Sequence, residues 1–290
     1  MCDLPVGSGF REVAERCWVA RHEWFDVNVG VVGGARGLLV VDTHASEKAA
    51  RQVAEQLRGL PGEVVAVVNT HEHFDHTFGN GVIAASAVPI YAHETAADRT
   101  LEAGKRIQRL FDDEPEDPHR AEVQATRIVP ATHTFSSAKV VDLGDRAVEL
   151  VHPGPGHTGG DAVVRVPDAD VLFAGDLVEE SAQRGGVPGF GDDCFPLEWP
   201  ASLDLVVGLL SGATVVVPGH GAPVGKQFVT DQRSAVGIVA ETIRELAGAG
   251  VSVGDALHSA DWPYPREELV HAVERGYAQL PRASRRLPMG

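Results

Sequence analysis

The chain has 290 residues and a mass of 30.8 kDa, enough for one large α/β domain with a sizeable core or for two smaller ones. Its 41 acidic against 25 basic side chains leave a net charge of −16. That balance disfavours nucleic acid as a partner, because such binding depends on neutralising phosphates. Cys2, Cys17 and Cys194 form no CxxC pair and fit plain thiols in a reducing compartment. Neither a signal-type leader nor an apolar run long enough to span a bilayer is present, so a soluble, cytoplasmic protein without a membrane partner is expected.

Residues 17–20 and 26–32 read as strands, and a 33–37 turn leads into a third strand, 38–42, which carries Asp42 to its end. Ser46 is placed to cap a helix in which Ala49, Ala50, Val53, Ala54 and Leu57 repeat at three-and-four spacing, and Pro61-Gly62 ends it. The β-branched run 64–68 then suits a strand buried on both faces. Strand, helix, strand is a crossover unit, so part of the sheet should be parallel.

That strand runs straight into Asn69-Thr70-His71-Glu72-His73-Phe74-Asp75-His76. Neither a core nor an ordinary surface explains three imidazoles and an aspartate within six residues. Neutral imidazole nitrogen and carboxylate oxygen suit a divalent ion of zinc type, and ligands from one short segment lower the entropic cost of assembling its site. Extended geometry would send His71, His73 and Asp75 to one side and His76 to the other unless the turn bends the chain. One segment could so feed two adjacent metals.

Downstream, 89–92 is a short strand, Glu94 to about Leu110 a helix with His93 near its start, and 112–118 an acidic, proline-broken loop. Residues 138–151 form a hairpin around Gly144-Asp145. The loop 152–161 is dense in Gly and Pro, which fixes its direction while letting His157 approach a ligand; His152 reads as structural. A second hairpin, 162–176, ends at Asp176. The stretch 179–199, with Phe190, Cys194, Phe195 and Trp199, suits either a wall beside a pocket or a plain surface loop. The strand 213–217 runs out to Pro218-Gly219-His220-Gly221. From Lys226 a helix carries Phe228, Val229, Val236, Val239, Ile243 and Leu246 on one face, and Leu269, Val270, Val273, Tyr277 and Leu280 repeat the pattern in a last helix. Both are expected to cover the sheet within one domain spanning 1–290. The basic tail 282–286 reads as frayed.

The pattern His71-x-His73-x-Asp75-His76 resembles the signature of the metallo-β-lactamase-fold hydrolase superfamily. Gly156-His157-Thr158, Gly175-Asp176 and Pro218-Gly219-His220-Gly221 resemble its later ligand loops, in the right order, and Asp42 its early aspartate. The resemblance implies a four-layer αββα sandwich. It assigns His71, His73 and His157 to one metal, Asp75, His76 and His220 to another, Asp176 as their bridge, and Asp42 as support behind a ligand. It further implies two zinc ions, with iron or manganese as alternatives, and attack by a metal-bridging hydroxide that Asp75 orients. An oxygen ligand at Asp176 resembles the glyoxalase, lactonase and phosphodiesterase-like members, whereas the commonest lactamases carry cysteine there. The expected function is hydrolysis of a small carbonyl ester, thioester or lactone. Alternatives are an iron-dependent oxidoreductase of persulfide-dioxygenase type, and β-lactamase or phosphodiesterase action. The partner is a small-molecule substrate, and the subunit number, a homodimer included, is left open.

Overall fold

The computed structural model describes residues 4–84 and 87–281; Cys2 and the tail 282–286 lie outside them. One sheet runs in chain order through β1 (Arg11–Ala14), β2 (Cys17–Arg21), β3 (Asn28–Gly34), β4 (Gly37–Val41), β5 (Val64–Val68), β6 (Ile90–His93) and β7 (His133–Phe135). Strands β1 to β4 are antiparallel neighbours, while β4 to β7 pair in parallel, as the crossover pattern requires. The other sheet consists of β8 (Ala138–Asp142), β9 (Ala147–Val151), β10 (Val163–Val166), β11 (Val171–Glu179) and β12 (Val215–His220). Its hairpins are antiparallel, and β11 and β12 lie parallel at its edge.

The helices are α1 (Glu47–Leu57), α2 (Phe74–Thr77), α3 (Asn80–Ile83), α4 (Glu94–Asp112), α5 (Arg120–Ala125), α6 (Trp199–Leu209), α7 (Lys226–Gly248), α8 (Val253–Ala256) and α9 (Val270–Gln279). The Ser46 hydroxyl accepts a hydrogen bond from the Ala49 N–H at 3.0 Å and so starts α1. The period-two alternation of β4 sets the layers. Leu39 and Val41 face the second sheet in a cluster with Val68, Leu150, Val164 and Phe173, while Leu38 and Val40 face Ala50, Val53 and Leu57 of α1. On the far side, Val163, Leu172 and Val216 pack beneath Trp199, Leu203, Val236 and Ile243 of α6 and α7. The order of layers is therefore αββα. Each Val or Leu removed from water contributes on the order of 1.5–3 kcal/mol, so the three clusters that lie between layers carry the fold. Gly30 lets the two sheets close: a Cβ there would lie 2.3 Å from the Phe173 ring.

The structure departs from the sequence reading in several places. The strand expected from residue 26 begins at Asn28, because Trp24–Asp26 form a short turn with Phe25 and Asp26 at φ 63° and 57°. Arg21 grips the Asp26 carboxylate through two contacts, one at 2.8 Å, and Ser181 donates to it at 2.9 Å, which over-determines the left-handed pair. Helix α6 escapes the periodic pattern because its buried face, Trp199, Ser202, Leu203 and Val206, includes a serine while its exposed side carries the apolar Leu205. Helices α5 and α8 are too short to leave a periodic signal. Strand β11 continues past Asp176 to Glu179, with Gly175 at φ 53° inside it.

Candidate metal centre

Strand β5 ends just before His71, and after His73 the chain bends into the single turn α2, which carries Asp75 and His76. The bend cancels the alternation that an extended segment would impose. His157 comes from the loop after β9, Asp176 from β11 and His220 from the end of β12. Gly219 must be glycine, since a Cβ would sit 1.8 Å from Asp176 Oδ1. All seven residues singled out in the sequence come together. His71, His73, His157 and Asp176 each bring one ligating atom within 4.8 Å of the others, and Asp75, His76 and His220 form a second such group. Asp176 stands between the groups: its Oδ2 lies 3.1 Å from His220 Nε2 and 3.4 Å from His157 Nε2, its Oδ1 3.2 Å from His76 Nε2.

The five imidazoles are held from behind. His73 Nε2 donates to Asp193 (3.0 Å), His76 Nδ1 to Asp42 (2.9 Å), His157 Nδ1 to the Gly189 carbonyl (2.8 Å) and His220 Nδ1 to the Phe25 carbonyl (2.7 Å). Thr70 spends its hydroxyl proton on Asp42 (2.8 Å), so it accepts from His71 Nδ1 (3.1 Å). In each neutral ring the other nitrogen is then a lone pair turned inward. His73 Nδ1 and His157 Nε2 face each other at 2.9 Å, His76 Nε2 and His220 Nε2 at 3.4 Å, and His71 Nε2 is buried without a hydrogen-bond partner. Lone pairs at these separations repel unless positive charge lies between them. The donor set therefore fits divalent cations of zinc type.

Asp42 is the hub of the support, as its position at a strand end suggested. At φ 61° and 3% exposure it accepts from the Thr70 N–H, the Thr70 hydroxyl and His76.

Electrostatics point the same way. Although burial pulls each down, Asp193 raises His73 to about 9 and Asp176 raises His220 to about 9; Asp176, Asp75 and Asp42 raise His76 well above its usual value. Burial takes His71 well below 6.5. Against burial, the surrounding imidazoles hold Asp75 and Asp176 below the usual carboxylate range. The metal-free centre thus keeps protons on His73 and His220 until pH passes about 9. Metal uptake at pH 7.5 should release about two protons or more, the count falling as pH passes about 9, and apparent affinity should rise with pH up to there. Calorimetry in buffers of different ionisation enthalpy measures the count.

A cavity of about 240 Å³ opens beside the cluster, lined by Phe25, Phe74, Ile107, Val187 and Phe190 together with His73, Asp75, His157 and Asp176. Part of the 179–199 stretch, residues 187–193, forms one wall. Asp193, the two backbone carbonyls and Arg106 of α4, which also lines the cavity, went unread in the sequence. A carbonyl acceptor leaves no trace in residue type, and Asp193 is an ordinary acidic loop residue until the fold brings it to His73. His93 caps α4 by accepting from the Thr95 N–H (3.3 Å), and His152, read as structural, donates to the Asp161 carbonyl (2.6 Å). Asp161 is buried, accepts from Thr158 and is not among the residues lining the cavity.

A family model described as Metallo-beta-lactamase superfamily matches residues 22–220. A metallo-beta-lactamase type 2 from Bacillus cereus is 27% identical over 66% of this chain and 65% of its own, so the chain spans just under two thirds of that relative. The acyl-coenzyme A thioesterase MBLAC2 of Gallus gallus is 26% identical, over 74% of this chain and 79% of its own. Among solved structures, the stereoselective inverting sec-alkylsulfatase Pisa1 from Pseudomonas sp. superposes with a TM-score of 0.73 at 16% identity, covering 93% of this chain and 50% of that one. That last likeness speaks for the fold alone.

Proposed function

The chain belongs to the metallo-β-lactamase superfamily, and from that premise we propose that it is a metal-dependent hydrolase of a small carbonyl ester, thioester or lactone, holding two zinc-type ions. The observation that carries the proposal is the convergence of five inward-facing imidazole nitrogens with Asp75 and Asp176. In this reading His71, His73 and His157 hold one ion, Asp75, His76 and His220 the other, and Asp176 serves both. The names of the Bacillus cereus and Gallus gallus relatives both denote attack at an acyl carbon. Bound metals would supply a water of lowered pKa and polarise a carbonyl oxygen.

The chain's own residues do the rest. Asp75, 7% exposed and lining the cavity, lies with Oδ2 3.4 Å from His220 Nε2. Its carboxylate, kept ionised by the neighbouring imidazoles, can accept a hydrogen bond from the attacking water and take its proton. Phe25, Phe74 and Phe190 keep bulk water from the reacting carbon and seat an apolar group. The reading takes the chain as one domain, with α7 and α9 packed in the cluster outside the second sheet. Cys17 and Cys194, both buried and free, support a reducing compartment. No described helix is long and apolar enough to cross a membrane.

The test is hydrolysis of a panel of esters, thioesters, lactones, phosphodiesters and a β-lactam by zinc-loaded and chelator-stripped protein. Cleavage of an acyl substrate that vanishes on stripping and returns with zinc is expected. Turnover that survives complete stripping, or turnover of phosphodiesters alone, would overturn the proposal.

A further inference from the structure

We infer that the part of the substrate filling the cavity is uncharged and apolar, and that the Arg106–Asp192 ion pair enforces this by occupying a cation that an anionic substrate would need. The inference rests on the hydrolase reading above and narrows its substrate class. Among the described residues lining the cavity, Arg106 is the sole lysine or arginine. It is not free: its guanidinium meets both oxygens of Asp192, one contact at 2.8 Å, in the two-pronged geometry that suits arginine and carboxylate. Arg106 stands on α4 beside Ala103 and Ile107, while Asp192 belongs to the opposite wall, residues 187–193. The pair therefore spans the two walls. Its side chains are 46% and 45% exposed, which puts it at the mouth.

The other charges outside the metal cluster are negative. Asp193 is engaged by His73, and Glu268 also lines the cavity. A substrate carboxylate or phosphate would have to displace Asp192 and leave it facing the incoming charge, beside Asp193 and Glu268. The net charge of −16 adds long-range repulsion. Against this, Phe25, Phe74, Ile107, Val187, Pro188 and Phe190 offer an apolar seat. Penicillin-type β-lactams carry a carboxylate and coenzyme A carries phosphates, so both rank below a neutral lactone, ester or short thioester.

The experiment compares 4-nitrophenyl pentanoate with 4-nitrophenyl hydrogen glutarate, which differ by a methyl against a carboxylate at the chain end. The zinc-loaded protein should prefer the pentanoate by about tenfold or more in kcat/KM. Asp192→Asn, which frees Arg106, should raise relative turnover of the glutarate by about tenfold, and Arg106→Gln should widen the wild-type preference. Equal turnover of both esters by wild type, or a ratio unmoved in Asp192→Asn, overturns the inference. If zinc-loaded protein cleaves neither ester, the hydrolase reading fails for this substrate class, and binding decides the inference by itself. Titration calorimetry with pentanamide and glutaramate should then show tighter pentanamide binding in wild type and a gain for glutaramate in Asp192→Asn; the opposite order overturns it.

Discussion

Replacing Asp176 by Asn should strip the protein of at least one metal equivalent and lower kcat/KM by more than about 100-fold, beyond the range for groups that merely support a ligand. Asp176 is the carboxylate that reaches both clusters, with His220, His157 and His76 nitrogens 3.1–3.4 Å from its oxygens and His71 Nε2 at 3.8 Å. Asparagine keeps the shape but removes the charge that draws positive charge into the centre, and it turns an N–H₂ toward ring nitrogens that need a cation. The same loss removes the largest favourable charge acting on His220, so its pKa should fall from about 9. Metal analysis after dialysis, together with the NMR titration of His220 in metal-free protein, reads both effects. Full metal content with wild-type turnover would show that Asp176 is a bystander.

The second large effect is expected at Asp42, which is not among the residues lining the cavity beside the cluster. Asp42→Asn should destabilise the fold by about 2–4 kcal/mol, because a buried acceptor of three hydrogen bonds becomes half donor. Thr70 Oγ1 and His76 Nδ1 both donate to Oδ2, so an N–H₂ there leaves two buried donors facing a third. With Asn at Oδ1's side reversed, the clash merely moves to the Thr70 N–H. The backbone is not at fault, since asparagine tolerates the observed φ of 61° as well as aspartate does. A thermal midpoint lower by several degrees, with weaker metal retention because His76 loses its orientation, is the expected outcome. An unchanged midpoint would mean that Asp42 is only a turn residue.

Most of the ligand set was legible because each member has a residue type with few other uses at a strand end. His71, His73, His157 and His220 follow buried strands or Gly-rich loops, where a structural imidazole needs a reason. The alternating faces of β4 and the capped, amphipathic α1 were equally readable, since periodicity is a local property. Other parts were invisible for physical reasons. The Phe25 and Gly189 carbonyls act through backbone that every residue possesses. Asp193 acquires meaning only when residues 187–193 fold against His73, and Arg106 only when α4 faces that loop. Helix α6 lacks the polar face by which a surface helix betrays itself. The turn at 24–26 was masked because Phe25 and Asp26 adopt left-handed backbone that their side chains do not advertise.

Elemental analysis at metal saturation tests the central claim most directly. Protein stripped of metal, reloaded with zinc at pH 8 and freed of loosely held ions should retain about two equivalents per chain, the number that two donor groups with Asp176 between them can hold. Retention of none, or of a single equivalent at saturation, would contradict the account of a two-ion centre built from these seven residues.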